Sequence, residues 1–461
     1  MKRSLAHPTP GAQPAVAAGT TGPVSGTEPH SARRSLVLRW VHPEGLLPPL
    51  DLASPLITIG REPDNHVVVP QPATSRHHAR IERRGRARAI FDLGSRNGVF
   101  VNGVRIEAAA PLLAGSVVRV GDVVGVAYDH VPGAPNAPRD LLGGLFGSSA
   151  LAWPLELARR AARSPLAVLI QGETGTGKEL VARAVHAESG RSGPFVALNC
   201  AALSETLLDA ELFGHERGVF TGADRARSGF VRAAHGGTLF LDEIGELSPS
   251  AQAKLLRVLE QRSVTPVGGV TPIPVDFRLV GATHRDLPVL VASGRFRADL
   301  FARLEGAVVQ LPALRERRED VAFLFRRLAE ATLGRPCPRL SARFVERLCI
   351  YDWPRNVREL KQTAERLAAL HPHEAEWRCH HIGGLLPGDR ASGPPVAVES
   401  APPSRARPAR GGRDQLQTAL TASAGNAAAA ARNLGISKQT LYRWVTEAGI
   451  RLEQFRREPS K

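Results

Sequence analysis

The stretch "LAVLIQGETGTGKELVARAVHAE", residues 166–188, sets the architecture expected for the centre of the chain. An apolar strand runs into a glycine-rich loop, which ends at a lysine that opens a helix. Backbone N–H groups of such a loop and of the helix N-terminus cradle phosphates, while the lysine reaches the terminal ones. The motif predicts a nucleotide site formed by Gly172, Glu173, Thr174, Gly175, Thr176, Gly177, Lys178 and Glu179.

A second motif, "GTLFLDE", ends an apolar strand with Asp242 and Glu243. An aspartate there can hold magnesium, and an adjacent glutamate can polarise the attacking water. Acidic residues also cap buried strands, but the pairing with Lys178 favours catalysis. Arg297 and Arg303 in "GRFRADLFARL" could supply positive charge to a neighbouring subunit's phosphates, or could form a solvated basic face.

The residue composition and the hydrophobic pattern change several times along the chain. Apolar strands alternate with helical segments around the glycine-rich loop, which predicts a mostly parallel α/β sheet. Short strands separated by turns precede this region and predict an all-β sandwich. The predicted organisation is a disordered tail at 1–33, a β sandwich at 34–130, a linker at 131–144, an α/β core at 145–313, a helical lid at 314–386, a disordered linker at 387–412 and short helices at 413–455.

The length, net charge and cysteine content of the chain limit the classes of function that it can have. A chain of 461 residues is long enough for about three domains, and a formal charge of +16 points toward a polyanion such as nucleic acid. The four cysteines form no CxxC pair, so a zinc site or a disulfide framework is not indicated. With no long apolar run and no signal peptide, we expect a cytoplasmic, nucleoid-associated protein without a membrane partner.

The central motifs resemble the AAA+ ATPase domain of bacterial enhancer-binding proteins, the activators of sigma-54 RNA polymerase. The similar segments are "GETGTGKE", "FVALNCAAL", "ELFGHERGVFTGA", "GGTLFLDEIGEL", "RLVGATHRDL", "GRFRADLFARL", "LPALRERRED" and "WPRNVREL". The resemblance covers about 145–385 and accounts for Glu179, since the family has glutamate there. It implies ATP and Mg²⁺ as cofactors and a homo-oligomer, from a dimer to a hexameric ring.

The resemblance assigns roles to individual residues. It implies that Lys178 is the P-loop lysine, Asp242 the magnesium residue and Glu243 the catalytic carboxylate. Asn199 is similar to the family's switch asparagine, which restrains that glutamate, and Arg358 to the lid arginine that senses the γ-phosphate.

Four further positions can be compared with the same family. Arg297 and Arg303 resemble arginine fingers that act in trans. His284 stands where many members have asparagine in the first sensor motif, and Arg355 replaces a usual glycine in a lid turn.

The glycine-hinged stretch 218–223 resembles the loop with which this family grips sigma-54. Glycines at both ends permit movement, and an apolar tip can bind a hydrophobic groove. A buried structural turn is the alternative. Only Val219 departs from the usual GAFTGA pattern, and the expected contact residues are Gly218, Val219, Phe220, Thr221, Gly222 and Ala223.

The N-terminal region resembles a forkhead-associated (FHA) domain through "GR" at Gly60, "SRHH" at 75–78 and "LGSRNGVFVNG" at 93–103. Phosphothreonine recognition needs an arginine, a hydroxyl and an amide that reads the peptide backbone. The resemblance implies that a phosphothreonine-containing protein, such as a Ser/Thr kinase, binds at Arg61, Ser75, Arg76 and Asn97. A sandwich whose phosphate site has decayed is the alternative.

The segment "LQTALTASAGNAAAAARNLGISKQTLYRWVTEAGI" resembles the Fis type of helix-turn-helix. Its third helix would lie in the major groove of duplex DNA upstream of promoters. The expected DNA-contacting residues are Lys438, Gln439, Thr440, Tyr442 and Arg443.

The expected fold class is therefore a multi-domain chain with an all-β FHA sandwich, an α/β AAA+ P-loop ATPase with a helical lid, and an all-α helix-turn-helix. The expected function is sigma-54-dependent activation that couples ATP hydrolysis to polymerase remodelling and responds to phosphothreonine. An AAA+ DNA-binding regulator that acts without sigma-54 is the main alternative. A phosphopeptide adaptor with a vestigial ATPase is opposed by the intact Lys178, Asp242 and Glu243.

Overall fold

A computed structural model describes residues 34–85, 87–219 and 225–386, with Gln417, Thr418, Leu420, Thr421, Ser423, Ala430 and Val445. The predictions for the tail 1–33, for Phe220 to Ala223, for the linker 387–412 and for the five DNA-contacting residues lie outside the described residues. The chain forms two compact units, Met1–Asp389 and Arg390–Lys461. In the described residues, every helix is too short or too polar to cross a membrane.

The N-terminal module is a sandwich of two sheets, in the strand orders β2-β1-β11-β10-β7-β8 and β4-β3-β5-β6-β9. Its strands are β1 (Ser35–His42), β2 (Leu50–Asp51), β3 (Leu56–Gly60), β4 (Val67–Val68), β5 (Ala79–Arg84), β6 (Ala87–Asp92), β7 (Val99–Val101), β8 (Val104–Arg105), β9 (Ala109–Leu112), β10 (Val117–Val120) and β11 (Val123–His130). The apolar faces of the two sheets enclose a core that includes Leu38, Ile59 and Ile90.

Strands β10 and β11 are buried on both faces, which is unusual for an antiparallel sheet with one side open to water. Successive side chains of a strand point to opposite faces. Val118 and Val120 of β10 belong to the sandwich core, whereas Val117 belongs to an apolar cluster shared with the lid. The outer face of this sheet is therefore covered by the lid.

A hairpin follows the sandwich, with strands β12 (Arg139–Leu142) and β13 (Leu145–Gly147). The predicted linker 131–144 is therefore partly structured. Gly143 and Gly144 both have positive φ and supply the two-residue turn that a tight hairpin needs. Leu142 and Leu145 are buried in the core of the ATPase, so the hairpin packs as part of that domain.

The ATPase core is a parallel sheet of order β15-β18-β21-β14-β22. Its helices and strands, with two small β-ribbons, are α1 (Ser149–Ala162), β14 (Val168–Gln171), α2 (Lys178–Glu188), β15 (Phe195–Asn199), α3 (Glu205–Phe213), β16 (Gly214–His215), β17 (Arg227–Ser228), α4 (Phe230–Ala233), β18 (Thr238–Asp242), α5 (Pro249–Gln261), β19 (Ser263–Val264), β20 (Ile273–Pro274), β21 (Arg278–Thr283), α6 (Leu287–Ala292), α7 (Ala298–Leu304) and β22 (Ala307–Gln310). Helices cover the apolar strands, as a buried parallel sheet requires.

Arg278 fastens the first helix of the core to the sheet. Its guanidinium is buried and donates hydrogen bonds of 2.6 to 3.1 Å to the backbone carbonyls of Ala161, Ala162, Ser164 and Leu166. These carbonyls include those at the end of α1 that have no partner inside the helix. One side chain therefore satisfies both the helix terminus and the loop that leads into β14.

The lid follows the last strand of the core. It contains α8 (Arg318–Leu333), β23 (Arg339–Leu340), α9 (Ala342–Ile350), α10 (Asn356–Leu370), β24 (Glu376–Trp377) and α11 (Cys379–Ile382). Its helices close around the fully buried rings of Phe325, Phe344, Trp353 and Trp377. The indole N–H of Trp353 donates to the carbonyl of Leu348, so this buried polar atom is paired.

Candidate active site

The glycine-rich loop joins β14 to α2 and lies directly beneath the lid. Gly177 precedes α2 with a φ of 107°, a left-handed conformation that glycine adopts without strain. Gly175 has a φ of 84°, and a Cβ there would collide with the carbonyl of Arg355 in the lid. The loop must therefore carry glycine both for its own bend and for the close approach of the lid.

Lys178 opens α2 and is almost fully buried. Its Nζ donates to the carbonyl of Gly172 at 2.9 Å and lies 3.5 Å from Oε1 of Glu243. These two contacts hold the ammonium group at the mouth of the loop, beside the catalytic carboxylate proposed from the sequence.

The register of the parallel sheet determines what Asn199 contacts. Asn199 at the end of β15 pairs with Asp242 at the end of β18. Its Nδ2 donates to Asp242 Oδ2 at 3.4 Å, and its Oδ1 accepts from the N–H of Ala201. The expected contact with Glu243 is not made in this structure, because the register places Asn199 beside Asp242.

Glu243 is held instead by His284, which follows β21 on the other side of β18. The carboxylate Oε2 accepts from Nδ1 of His284 at 2.8 Å and from its backbone N–H at 3.2 Å. Burial alone would raise the pKa of Glu243, but the hydrogen bonds from His284 and the charge of Lys178 outweigh it and leave that pKa below its usual value. Glu243 therefore stays ionised near neutral pH, as a group that polarises water must.

Asp242 has the opposite electrostatic environment. Burial and the adjacent charge of Glu243 raise the pKa of its carboxyl group, and Lys178 only partly offsets them. Two neighbouring carboxylates at the end of one strand would gain from a divalent cation, and oxygen ligands of this kind suit Mg²⁺. The donor set fits a magnesium ion bound through Asp242.

Glu173 is predicted to bind ATP, but its side chain has another role. Its carboxylate accepts from Arg315 at 2.5 and 2.8 Å and from Nδ2 of Asn356 at 3.1 Å. The hydrogen bond from Arg315 is the main reason that the pKa of Glu173 falls to about 2. The side chain therefore ties the loop to the lid, and only the backbone of Glu173 faces Lys178.

A cleft of about 740 Å³ lies between the glycine-rich loop, the strand ends and the lid. The predicted residues Thr174 to Glu179, Asn199, Asp242, Glu243 and Arg358 all line it. The sequence did not identify the remaining lining residues, which include Leu145, Phe146, Leu324, Arg327, Leu328 and Lys361. Arg327 stacks on the ring of Phe146 at 4.1 Å, so the lid and the hairpin meet at one wall of this cleft.

Arg297 and Arg303 lie outside the cleft of their own chain. Arg297 immediately precedes α7 and pairs with Asp299 at 2.7 Å on the surface, while Arg303 is exposed in the last turn of that helix. Both side chains are therefore accessible to a second copy of the chain.

A separate cleft of about 720 Å³ in the N-terminal sandwich is lined by Arg61, Ser75, Arg76 and Asn97. The fold thus brings together the four residues predicted to bind phosphothreonine. Two internal contacts shape their loops. Ser75 Oγ accepts from the N–H of Arg96 at 3.1 Å, and Asn97 Nδ2 donates to the carbonyl of Ala73 at 2.7 Å.

His78 braces this cleft from inside. Its Nδ1 accepts from the N–H of Ser75 at 3.0 Å, and its Nε2 lies 3.2 Å from the carbonyl of Gly98. Burial lowers the pKa of His78, so the imidazole is neutral with its proton on Nε2. The ring therefore connects two of the loops that carry the predicted residues.

The described part of the 218–223 stretch clarifies the one unusual residue. Gly218 has a φ of 82° with nothing within 4 Å of a Cβ there. Val219 is 37% exposed, and its Cγ2 methyl lies against Gly268 in the loop between β19 and β20. The branched side chain thus rests on a neighbouring ribbon, which a shorter alanine would reach less well.

One group among the described residues has metal-ligand chemistry outside the nucleotide cleft. The ligand atoms of His371, Glu374 and His381 lie within 4.8 Å of one another on the lid. Nδ1 of His381 accepts from the N–H of Arg378 at 3.0 Å, so the proton of the neutral ring sits on the other nitrogen. His381 has no lone pair left for a metal in this arrangement.

Comparison with known proteins identifies each module. Four family models match: the sigma-54 interaction domain at residues 145–310, the FHA domain at 57–121, the AAA+ ATPase lid domain at 315–392, and the bacterial regulatory protein Fis family at 413–444. The molecule is thus an AAA+ ATPase with an FHA domain and a DNA-binding helix-turn-helix, and the expected fold class is confirmed.

Full-length relatives narrow the class further. The transcriptional regulatory protein ZraR of Salmonella typhimurium is 42% identical over 68% of this chain and 71% of ZraR. The DNA-binding transcriptional regulator NtrC of Bradyrhizobium is 50% identical over 52% of this chain and 50% of NtrC. A crystal structure of NtrX from Brucella abortus in complex with ADP is 30% identical, covers 68% of this chain and 69% of that chain, and has a TM-score of 0.48. The chain belongs to the family of sigma-54-dependent transcriptional activators.

The contacts of Glu243 lead to a prediction about His284. Replacing His284 with alanine removes the side-chain hydrogen bond that orients Glu243, and we expect ATP turnover to fall roughly 10- to 100-fold because the water is then polarised from a poorer position. His284 does not line the cleft, so the affinity for ATP should remain unchanged. Steady-state hydrolysis and equilibrium nucleotide binding measure the two quantities separately.

His284→Asn is the matched control, because an amide N–H can still donate to the carboxylate. Its turnover should lie much closer to that of the unmodified chain. Equal turnover in His284→Ala and the unmodified chain would exclude the orienting role.

Proposed function

We propose that this protein uses ATP hydrolysis to remodel sigma-54 RNA polymerase at promoters, and that phosphothreonine recognition by its N-terminal sandwich controls this activity. The meeting of Lys178, Asp242 and Glu243 beneath the lid is the observation that carries the proposal. Family membership supports sigma-54 and DNA as partners.

In the hydrolytic step, Glu243 polarises a water molecule toward the γ-phosphate, and its ionised state suits that role. Lys178 and the loop amides bind the phosphate oxygens. A magnesium ion held by Asp242 would neutralise charge that develops on those oxygens. Arg358 on the lid lines the same cleft and is positioned to sense the γ-phosphate.

Phosphoryl transfer also needs positive charge to stabilise its transition state, and this charge would come from a neighbouring subunit. Arg297 and Arg303 are exposed and lie outside their own cleft, which supports action in trans within a ring. The family resemblance supports a homo-oligomer, from a dimer to a hexameric ring.

The stretch Gly218 to Ala223 is the proposed contact with sigma-54. Asn199 contacts Asp242 and His284 contacts Glu243, so a change at these two carboxylates during hydrolysis would alter both contacts and, through them, the position of the loop. The alternative, a DNA-binding regulator that acts without sigma-54, lacks a use for an apolar tip on glycine hinges.

The remaining assignments complete the proposal. Lys438, Gln439, Thr440, Tyr442 and Arg443 read or contact upstream DNA, a role supported by the Fis family match. The same match supports a cytoplasmic, nucleoid-associated location. Arg61, Ser75, Arg76 and Asn97 bind a phosphothreonine-containing protein, supported by their shared cleft.

A substitution in the loop tests the sigma-54 contact. Thr221→Ala should leave ATP hydrolysis within about twofold of the unmodified chain, because Thr221 is outside the catalytic set, and should abolish open-complex formation. Thr221→Ser keeps the hydroxyl and should retain activation. Promoter opening by Thr221→Ala at the normal level would favour the alternative regulator.

A second substitution tests phosphothreonine recognition. Arg61→Ala should weaken binding of a phosphothreonine peptide at least about tenfold, because charge-assisted hydrogen bonds to phosphate are lost. The peptide would be selected on the unmodified chain from a degenerate phosphothreonine library and measured by fluorescence anisotropy. Arg84→Ala, an exposed arginine at the end of β5, is the control. Unchanged binding in Arg61→Ala would remove this cleft from recognition.

A further inference from the structure

The N-terminal sandwich and the lid share one apolar cluster. Val41, Val117, Val124 and Val126 from the outer sheet face pack with lid residues that include Phe325 and Leu348. Strands β1, β10 and β11 contact helices α8 and α9, and β11 also contacts α1 of the ATPase core. The sandwich therefore packs on both the lid and the core of the ATPase.

A buried ion pair lies within this contact. Nε of Arg119 on β10 donates to Oε2 of Glu346 on α9 at 2.7 Å, and both side chains are less than one tenth exposed. The guanidinium of Arg119 also stacks on the ring of Phe100 at 3.7 Å. Removal of either partner would leave the other as an uncompensated buried charge, so the two side chains depend on each other while the sandwich is docked.

Arg119 also contacts a turn that packs against one wall of the cleft predicted to bind phosphothreonine. Its Nη1 donates to the carbonyl of Gly121 at 3.1 Å, in the turn between β10 and β11. That turn packs so closely on Ala73 that a Cβ at Gly121 would lie 2.7 Å from the Ala73 carbonyl oxygen. The same oxygen accepts the side-chain amide of Asn97. A continuous series of contacts thus runs from Asn97 to Glu346.

The series of contacts continues through the lid to the nucleotide cleft. Helix α9, which carries Glu346, packs on α8 through the cluster that contains Phe325 and Phe344. Helix α8 also presents Leu324, Arg327 and Leu328 to the nucleotide cleft, and Leu324 belongs to the same apolar cluster. A restraint on α9 is therefore a restraint on one wall of the cleft.

We propose that Arg119 and Glu346 form an intramolecular latch that holds the lid against the sandwich and keeps ATP turnover low until a phosphothreonine ligand binds. The trigger rests on the proposed phosphothreonine recognition. When the amide of Asn97 turns to a bound peptide, it leaves the carbonyl of Ala73. The turn at Gly121 then loses its support, Arg119 loosens its hold on Glu346, and the lid is free to move through the catalytic cycle.

The latch is tested first without any ligand, by ATP hydrolysis of the full chain. Glu346→Gln should hydrolyse ATP about fivefold faster or more than the unmodified chain, since coupling between sites is commonly of that size. Glu44→Gln is the matched control, because Glu44 also pairs across the interface, with Arg326 at 2.7 Å, but its side chain is 54% exposed, so this pair contributes little to docking. Its rate should stay at the unmodified level.

Equal rates in Glu346→Gln and the unmodified chain, with both folded by circular dichroism, overturn the latch. If Glu346→Gln does not fold, Ile350→Ala takes its place. Ile350 is half-buried at the groove between sandwich and lid, and its loss weakens docking without burying a charge. The same increase in ATP turnover is expected for Ile350→Ala. A rate equal to that of the unmodified chain would likewise overturn the latch.

The trigger is tested with the library-selected phosphothreonine peptide. It should raise turnover of the unmodified chain toward that of Glu346→Gln and add little to Glu346→Gln itself, and Arg61→Ala should not respond. A peptide that binds but leaves turnover unchanged overturns the coupling. If no phosphothreonine peptide binds the unmodified chain, phosphothreonine recognition fails, while the comparison of Glu346→Gln with Glu44→Gln still decides the latch.

Discussion

The parallel register of the central sheet is the constraint on which the catalytic site depends. Neighbouring strands in such a sheet end at the same edge, so residues distant in sequence meet there. Asn199 lies beside Asp242 because β15 and β18 run in register, and His284 reaches Glu243 because β21 flanks β18 on the other side. Strand β14 delivers the loop and Lys178 to the same edge. A shift of one residue in any strand would separate these groups.

The lid is the second element on which the structure depends, because it contacts several other parts of the molecule. Arg315 and Asn356 bind Glu173 in the loop, so the lid and the phosphate site are joined directly. Where α8 begins, Glu319 accepts from Ser148 at the start of the ATPase core, and burial together with Asp320 raises the pKa of Glu319 to about 8. The lid is thus held from the core, from the loop and from the sandwich, and regulation can act through any of these contacts.

Local motifs could be predicted from sequence, whereas their partners across the fold could not. The glycine-rich loop, Lys178 and the pair Asp242–Glu243 follow from short patterns whose chemistry is fixed by spacing. The partner of Asn199 depends on strand register, and the turn of Glu173 toward Arg315 depends on where the lid docks. Neither is encoded within a few residues of the motif.

Docking of the sandwich on the lid is visible in the hydrophobic pattern of the sequence, although it corresponds to no short motif. The run "SVVRVGDVVGVAYD" is apolar without alternation, which is typical of strands buried on both faces. Arg119 is the one polar residue of strand β10 within this run, and it is paired within the interface. The hairpin within 131–147 was missed for a different reason, because its prolines and glycines resemble those of a linker while Leu142 and Leu145 are buried in the ATPase core.

The central claim is that hydrolysis at Glu243 drives opening of sigma-54 promoters. The most direct measurement is permanganate reactivity of unpaired thymines in a promoter bound by sigma-54 RNA polymerase, with ATP and either the unmodified chain or Glu243→Gln. The account predicts opening by the unmodified chain and none by Glu243→Gln, which should still bind ATP. Equal opening by both would contradict it.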